Sequence, residues 1–188
     1  FYTHNFGVAE LRAALASYVS GLHRPVTSGN IVVTSSGMSA LMLTTQALVG
    51  PGDRVVEVTP LWPNLVEIPK VLGAQVECLP RDFSPSGWTL NLDRLLSTLT
   101  PGTRALYINS PNNPTGWTIT REVQLKILEH CRRLGIWIIA DDAYDRMWFG
   151  EGAAAPSFLD IAEEGDRLVS TNTFSKSWLM TGWRIGWM

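Results

Sequence analysis

Short apolar runs rich in β-branched residues alternate along this chain with longer stretches patterned as helices. The runs at 31–34, 54–58, 75–79, 104–109, 136–141 and 167–172, with a last one near 184–188, predict strands. The stretches at 8–21, 37–49, 62–72, 92–99, 121–134 and 156–163 predict helices. Pro51-Gly52 and Pro101-Gly102 mark turns between helix and strand. Gly135, directly after the basic pair Arg132-Arg133 and Leu134, stands where a helix C-cap belongs. Alternation of this kind predicts an α/β fold with a largely parallel sheet. Three polar or small-residue stretches, 81–87, 110–118 and 150–156, read as loops within one domain, and no repeat or low-complexity segment interrupts the pattern.

Composition narrows the class. With 188 residues and 45% of them hydrophobic, the chain can bury the core of one domain. A formal net charge of -2 argues against a broad surface for nucleic acid or anionic membrane. Cys78 and Cys131 lack metal or redox spacing and read as free thiols of a reducing cytoplasm. The longest apolar runs, such as 136–140, are too short to span a bilayer. His4, His23 and His130 are scattered without ligand spacing, so no metal is expected. The chain starts at Phe1 without an initiator methionine and stops at Met188, and it reads as the middle of a longer protein.

Ligands of parallel sheets sit at the carboxyl ends of the strands, and the chemically interesting residues fall there. The first strand runs into Ser35-Ser36-Gly37-Met38, where either serine can cap the next helix and Gly37 lets the backbone approach closely. Exposed amides and the helix dipole at such a place favour a phosphate. The strand at 104–109 is followed by Ser110-Pro111-Asn112-Asn113-Pro114-Thr115-Gly116, a dense turn sequence. In Asp141-Asp142 the two side chains point to opposite faces of a strand, so one carboxylate faces the site. Finally, Thr173-Phe174-Ser175-Lys176 precedes Gly182-Trp183-Arg184-Ile185-Gly186. A lysine amine condenses with an aldehyde to a Schiff base, while hydroxyls and a guanidinium hold a phosphate, so one small phosphorylated aldehyde could use them all. Neither a Gly-x-Gly-x-x-Gly dinucleotide motif nor a Walker-type loop is present.

The Ser-Lys pair, its spacer and the Gly-Trp-Arg-x-Gly string resemble the cofactor-lysine segment of class I/II aminotransferases, fold-type-I enzymes of pyridoxal phosphate (PLP). The string from Asn109 to Gly116, the Asp141-x-x-Tyr144 pattern and the opening Tyr2, Gly7, Glu10-Leu11-Arg12 resemble the same family in the same order. The resemblance implies a three-layer sandwich, the aspartate aminotransferase-like large domain. It implies that Lys176 carries PLP and acts as base and acid, and that Asp141 keeps the pyridine nitrogen protonated. Tyr144 joins Asn113 at the phenolic oxygen, and Trp62, after Pro60-Leu61, stacks on the ring. The phosphate falls to Ser36, Gly37, the amide of Met38, Thr173 and Arg184, with Ser175 assisting. Asn109 and Asn112 are turn residues, and Asp142 is structural or solvent-facing.

By the same resemblance, Tyr2 crosses a homodimer interface to the neighbour's phosphate. Amino acids and 2-oxo acids are the substrates, and residues 1–188 are a PLP-binding large domain without its N-terminal segment and small domain. Carbon–sulfur lyases and cyclopropane-carboxylate synthases share these residues. So do the aminotransferase-like sensor domains of transcription regulators, which follow a helix-turn-helix domain.

Overall fold

The computed structural model describes residues 2–188. Helix α1 (Ala9–Leu22) leads through a 3-10 turn (Ser28–Asn30) to strand β1 (Val33–Thr34). Then follow α2 (Gly37–Leu48), β2 (Arg54–Thr59), α3 (Pro63–Val71) and β3 (Gln75–Pro80). A hairpin of β4 (Asp82–Ser84) and β5 (Gly87–Thr89) precedes α4 (Leu92–Thr98), β6 (Thr103–Asn109), α5 (Arg121–Leu134) and β7 (Trp137–Asp141). The chain closes with β8 (Leu168–Thr173) and β9 (Gly186–Trp187).

The main sheet has seven strands in the order β1-β9-β8-β7-β6-β2-β3. From β3 to β8 all neighbours are parallel, while β9 runs antiparallel to both β8 and β1. Successive strand residues face opposite ways, and this sorts the core into layers. Val56, Leu106 and Ile138 pack with Leu95 of α4 and Ile127 of α5. Their neighbours Val55, Ala105 and Ile139 pack with Leu41 of α2 and Leu65 and Ile68 of α3. Helix α1 lays Leu15 and Val19 against Trp187 of β9. The three-layer α/β expectation is met.

Local chemistry sets the helix ends. Thr120 accepts from the Val123 amide at the start of α5, and Arg132 and Arg133 oppose the dipole in its last turn. Gly135 ends that helix with φ 68°, the left-handed conformation that glycine adopts without a Cβ clash.

Three expectations are corrected. Residues 81–87, expected as loop, contribute to the β4–β5 hairpin, where Phe83 and Trp88 pair across the strands with ring centroids 4.9 Å apart. The helix expected over 156–163 is one 3-10 turn, Phe158–Asp160. Ser157 and Asp160 cap each other reciprocally, and Ile161, with φ -125°, has already left helical geometry. The first strand begins at Val33, two residues late, because Ile31 still closes the 3-10 turn, its amide donating to the Ser28 carbonyl at 3.3 Å.

Candidate active site

The parallel strands β2, β6, β7 and β8 release their chains on one side of the sheet. Trp62, Asn109 with Asn113, Asp141 with Tyr144, and Thr173 with Ser175 and Lys176 line a cavity there of about 350 Å³. The first turn of α2 and the segment bearing Thr181 and Arg184 complete its wall.

At one end the cavity is built for an anion. Ser36 caps α2 by accepting from the Ser39 amide at 3.0 Å, whereas the side chain of exposed Ser35 meets, among the described residues, only the Ser39 hydroxyl. This settles the choice between the two serines. Gly37 follows, and a Cβ there would sit 3.0 Å from Thr173 Cβ. Gly186 packs behind, and a Cβ on it would collide with the Gly37 amide nitrogen and lie 2.7 Å from the Ser36 carbonyl oxygen. Two glycines thus let β9 and the end of β8 press against the start of α2, where unpaired amides and the helix dipole attract negative charge. The Thr173 hydroxyl lies 3.0 Å from Ser175 Oγ and 3.2 Å from the Ile185 carbonyl. Arg184 adopts a left-handed backbone, φ 52°, and its Nη1 donates to the Thr181 carbonyl at 2.8 Å.

Asp141, the last residue of β7, is buried, and its Oδ1 accepts from the Ala143 amide at 3.2 Å. Burial pushes its carboxyl up to about 7. The Ala143 bond and Lys176 oppose that rise, and the Asp142 charge adds to it. Asp142 points to the other face, as alternation requires. It is buried rather than solvent-facing, accepting from Ser170 Oγ at 2.6 Å and Ser157 Oγ at 3.1 Å. Burial raises its carboxyl too, against the Ser170 bond.

On the cavity wall, Asn113 Nδ2 donates to the Tyr144 hydroxyl at 3.4 Å, and Lys176 Nζ stands 5.5 Å from the centroid of the Tyr144 ring. Trp62 is the N-cap residue of α3, half-buried with Pro63 beginning the helix.

Asn109 does more than the turn role expected of it. It lines the cavity, accepts from the Asn113 amide at 2.7 Å and donates to the Asp141 carbonyl at 3.0 Å. It therefore ties the β6 loop to the end of β7. Asn112 is a buried turn residue, accepting from the Thr115 amide and hydroxyl. Of the expected residues, Tyr2 is 105% exposed and is not part of this chain's cavity, and Ser36 acts from behind it as the cap. Leu41, Ala143 and Thr181 line the cavity without having been singled out. Thr181 was readable as a neighbour of the Gly-Trp-Arg string. Leu41 carried no signal, being one apolar helix residue among many.

The model of aminotransferase class I and II matches residues 1–188. The chain belongs to that family. An aspartate aminotransferase of Thermotoga maritima is 33% identical over 192 aligned residues, which cover 100% of this chain and 49% of that protein. The solved structure of an aspartate aminotransferase from Thermotoga maritima superimposes with a TM-score of 0.90 at 32% identity, covering 100% of this chain and 49% of that one. N-succinyldiaminopimelate aminotransferase from Mycobacterium tuberculosis superimposes with a TM-score of 0.89 at 28% identity, again over 100% of this chain and 49% of the other. This member of the family spans about half the length of these relatives. Among the described residues, no cluster of three or more His, Cys, Asp or Glu could hold a metal, and no helix is long and apolar enough to cross a membrane.

Proposed function

We propose that this chain is the PLP-binding large domain of a longer aminotransferase, which moves an amino group from an amino acid to a 2-oxo acid. The observation that carries this reading is the cavity itself. An amine, a buried acid, an amide–phenol pair and a helix N-terminus flanked by Arg184 all converge on it.

The residues fit the cofactor. Its phosphate matches the end formed by the first turn of α2, the Thr173 and Ser175 hydroxyls and Arg184. Asp141 has a single hydrogen bond to its carboxyl among the described residues, leaving acceptor capacity for a ring N–H. When bound, PLP supplies an aldehyde that captures amines and a cationic ring that withdraws electrons from the substrate's Cα.

Each residue then has a defined task. Lys176 Nζ would hold the cofactor by its aldehyde and, as a free amine, would be the base that takes the proton from the substrate's Cα. Asp141 would hold the proton on the ring nitrogen, because a buried carboxylate beside a cation is far better satisfied than one alone. Asn113 and Tyr144 would hold the phenolic oxygen as donors, and the Trp62 ring would pack against the cofactor. Exposed Tyr2 is available to a second copy in a homodimer. The free thiols of Cys78 and Cys131 suit the cytoplasm. No observation favours the lyase or regulator readings, and the relatives named above are aminotransferases.

The test uses the full-length enzyme. PLP is added, the absorbance spectrum recorded, the protein reduced with borohydride and the modified peptide mapped. Modification at Lys176, with turnover abolished in Lys176→Ala, is the expected result. Labelling spread over exposed lysines such as Lys70 and Lys126 overturns the reading.

A further inference from the structure

Asp145 directly follows Tyr144, is buried, and does not line the cavity. Its backbone is pinned on both sides, the amide donating to the Asp142 carbonyl at 3.0 Å and the carbonyl accepting from Ala155 at 2.8 Å. The carboxylate gathers three donors from distant segments. Oδ1 accepts from Ser177 Oγ at 3.2 Å, and Oδ2 accepts from Asn172 Nδ2 at 3.0 Å and from the Tyr18 hydroxyl at 3.5 Å. Ser177 is the residue after Lys176, and Asn172 precedes Thr173 at the end of β8.

Packing locates the flanks of the segment so held, since the Phe174 and Trp178 rings lie 5.1 Å apart and both meet Trp187, but Lys176 itself lies in a turn. Residues 174–178 form turns outside any helix or strand. The amides of Phe174, Leu179 and Met180 make its backbone bonds, to Ile185, Lys176 and Phe174. The Lys176 side chain is half-buried near the Tyr144 ring, and no hydrogen bond from its Nζ is present among the described residues. Apart from that ring contact, its amine is aimed by its backbone. A carboxylate taking bonds from both sides of the lysine adds a polar restraint on that backbone beside the aromatic packing.

We propose that Asp145 is a positioning residue, which clamps the turn carrying Tyr144 to the segment carrying Lys176 and so fixes the lysine amine in reach of the reacting carbon. This rests on the aminotransferase reading above. Asp145 touches neither cofactor nor substrate and acts only through its neighbours. Misplacing a reacting group by about 1 Å from outside the chemistry can cost on the order of a hundredfold in rate.

The test compares Asp145→Asn, Ser177→Ala, Ser177→Thr and Asp145→Asn/Ser177→Ala in the full-length holoenzyme, with Ile127→Val in the α5 core as a stability control. In Asp145→Asn, borohydride still fixes PLP on Lys176, while kcat falls about 10- to 100-fold and KM stays within about threefold. Ser177→Ala loses kcat by a smaller factor, and Ser177→Thr, which keeps the hydroxyl, restores it to within about twofold. The double variant is no slower than Asp145→Asn, since both changes break one contact. In the apoenzyme, acetylation of Lys176 by acetic anhydride, read by mass spectrometry against exposed Lys126, rises in Asp145→Asn and Ser177→Ala but not in Ile127→Val.

Wild-type kcat in Asp145→Asn, or equal loss in Ser177→Ala and Ser177→Thr, overturns the clamp while leaving the aminotransferase reading intact. Wild-type enzyme unmodified at Lys176 overturns both. If Asp145→Asn does not fold, the Ser177 pair decides the question by the same two readouts.

Discussion

Asn113 Nδ2 lies 3.4 Å from the Tyr144 hydroxyl, bridging the loop after β6 and the turn after β7. Two strands that are neighbours in the sheet thus deliver an amide and a phenol to one point on the cavity wall. Both can donate to the same acceptor. Tyr144→Phe removes one donor and leaves the ring in place beneath Lys176. A hydrogen bond to a charged group contributes about 1.5–3 kcal/mol, so kcat should fall about 10- to 100-fold. Stability changes by less than about 1 kcal/mol, since the hydroxyl is only partly buried. Steady-state kinetics beside thermal melting separate the two effects.

Asp141 sets a pH dependence in the cofactor-free protein. Its carboxyl stands at about 7 in the fold against an ordinary 3.8, so the folded chain holds this proton more tightly than the unfolded one. The stability this contributes is complete below the ordinary value and is lost as pH climbs to about 7. Asp141→Asn removes the loss, making the apoprotein more stable than wild type at pH 8 by on the order of 2 kcal/mol and about equal at pH 4. If the proposed role holds, the same variant of the full-length enzyme should lose turnover, because an amide would not keep a ring nitrogen protonated. Denaturant melts at the two pH values check the sign. No gain at pH 8 would show that Asp141 is not a buried acid.

Gly186→Ala places a Cβ against the backbone of Gly37 and Ser36, which cannot swing aside as a side chain could. Overpacking of this kind costs about 1–3 kcal/mol, sometimes more. The first turn of α2 must shift, so inorganic phosphate should inhibit PLP binding about tenfold more weakly in the variant. Thermal melting and a phosphate competition titration measure the two losses.

Glu57 lies in the middle of β2 with 0% exposure, and neither carboxyl oxygen has a partner among the described residues. Around it stand Lys70 and Glu67 of α3, Cys78 of β3 and Tyr107 of β6. Burial, against the pull of Lys70, raises the carboxyl to about 8 from 4.5. A raised acid favours the fold at low pH and loses that contribution as pH rises towards about 8. Glu57→Gln should flatten stability between pH 6 and 9 and gain on the order of 1–2 kcal/mol at pH 9. Parallel urea melts of both proteins across that range test it, and an unchanged slope would place the proton elsewhere.

Much of this protein was legible in sequence because it is local. Thr120, Gly135 and the Pro-Gly turns act over a few residues, and period-2 alternation alone assigns Asp141 and Asp142 to opposite faces. The order of the cavity residues was readable for a related reason. Most follow the carboxyl end of a parallel strand, where the chain must leave the sheet, and the turn chemistry there is visible as a string.

What tertiary structure decided depends on partners that no local pattern names. The antiparallel β9 between β1 and β8, and the close seat of Gly186 on α2, follow from strand order. Asn109 became a wall residue because its amide reaches the Asp141 carbonyl, 32 positions along the chain. The three donors on Asp145 come from 127, 27 and 32 positions away. The unpartnered carboxyl of Glu57 is visible only once the strands on both sides are in place. Local hydrogen bonds and side-chain periodicity determine the elements. Burial and long-range pairing determine which side chains are neighbours, and those neighbours set the chemistry.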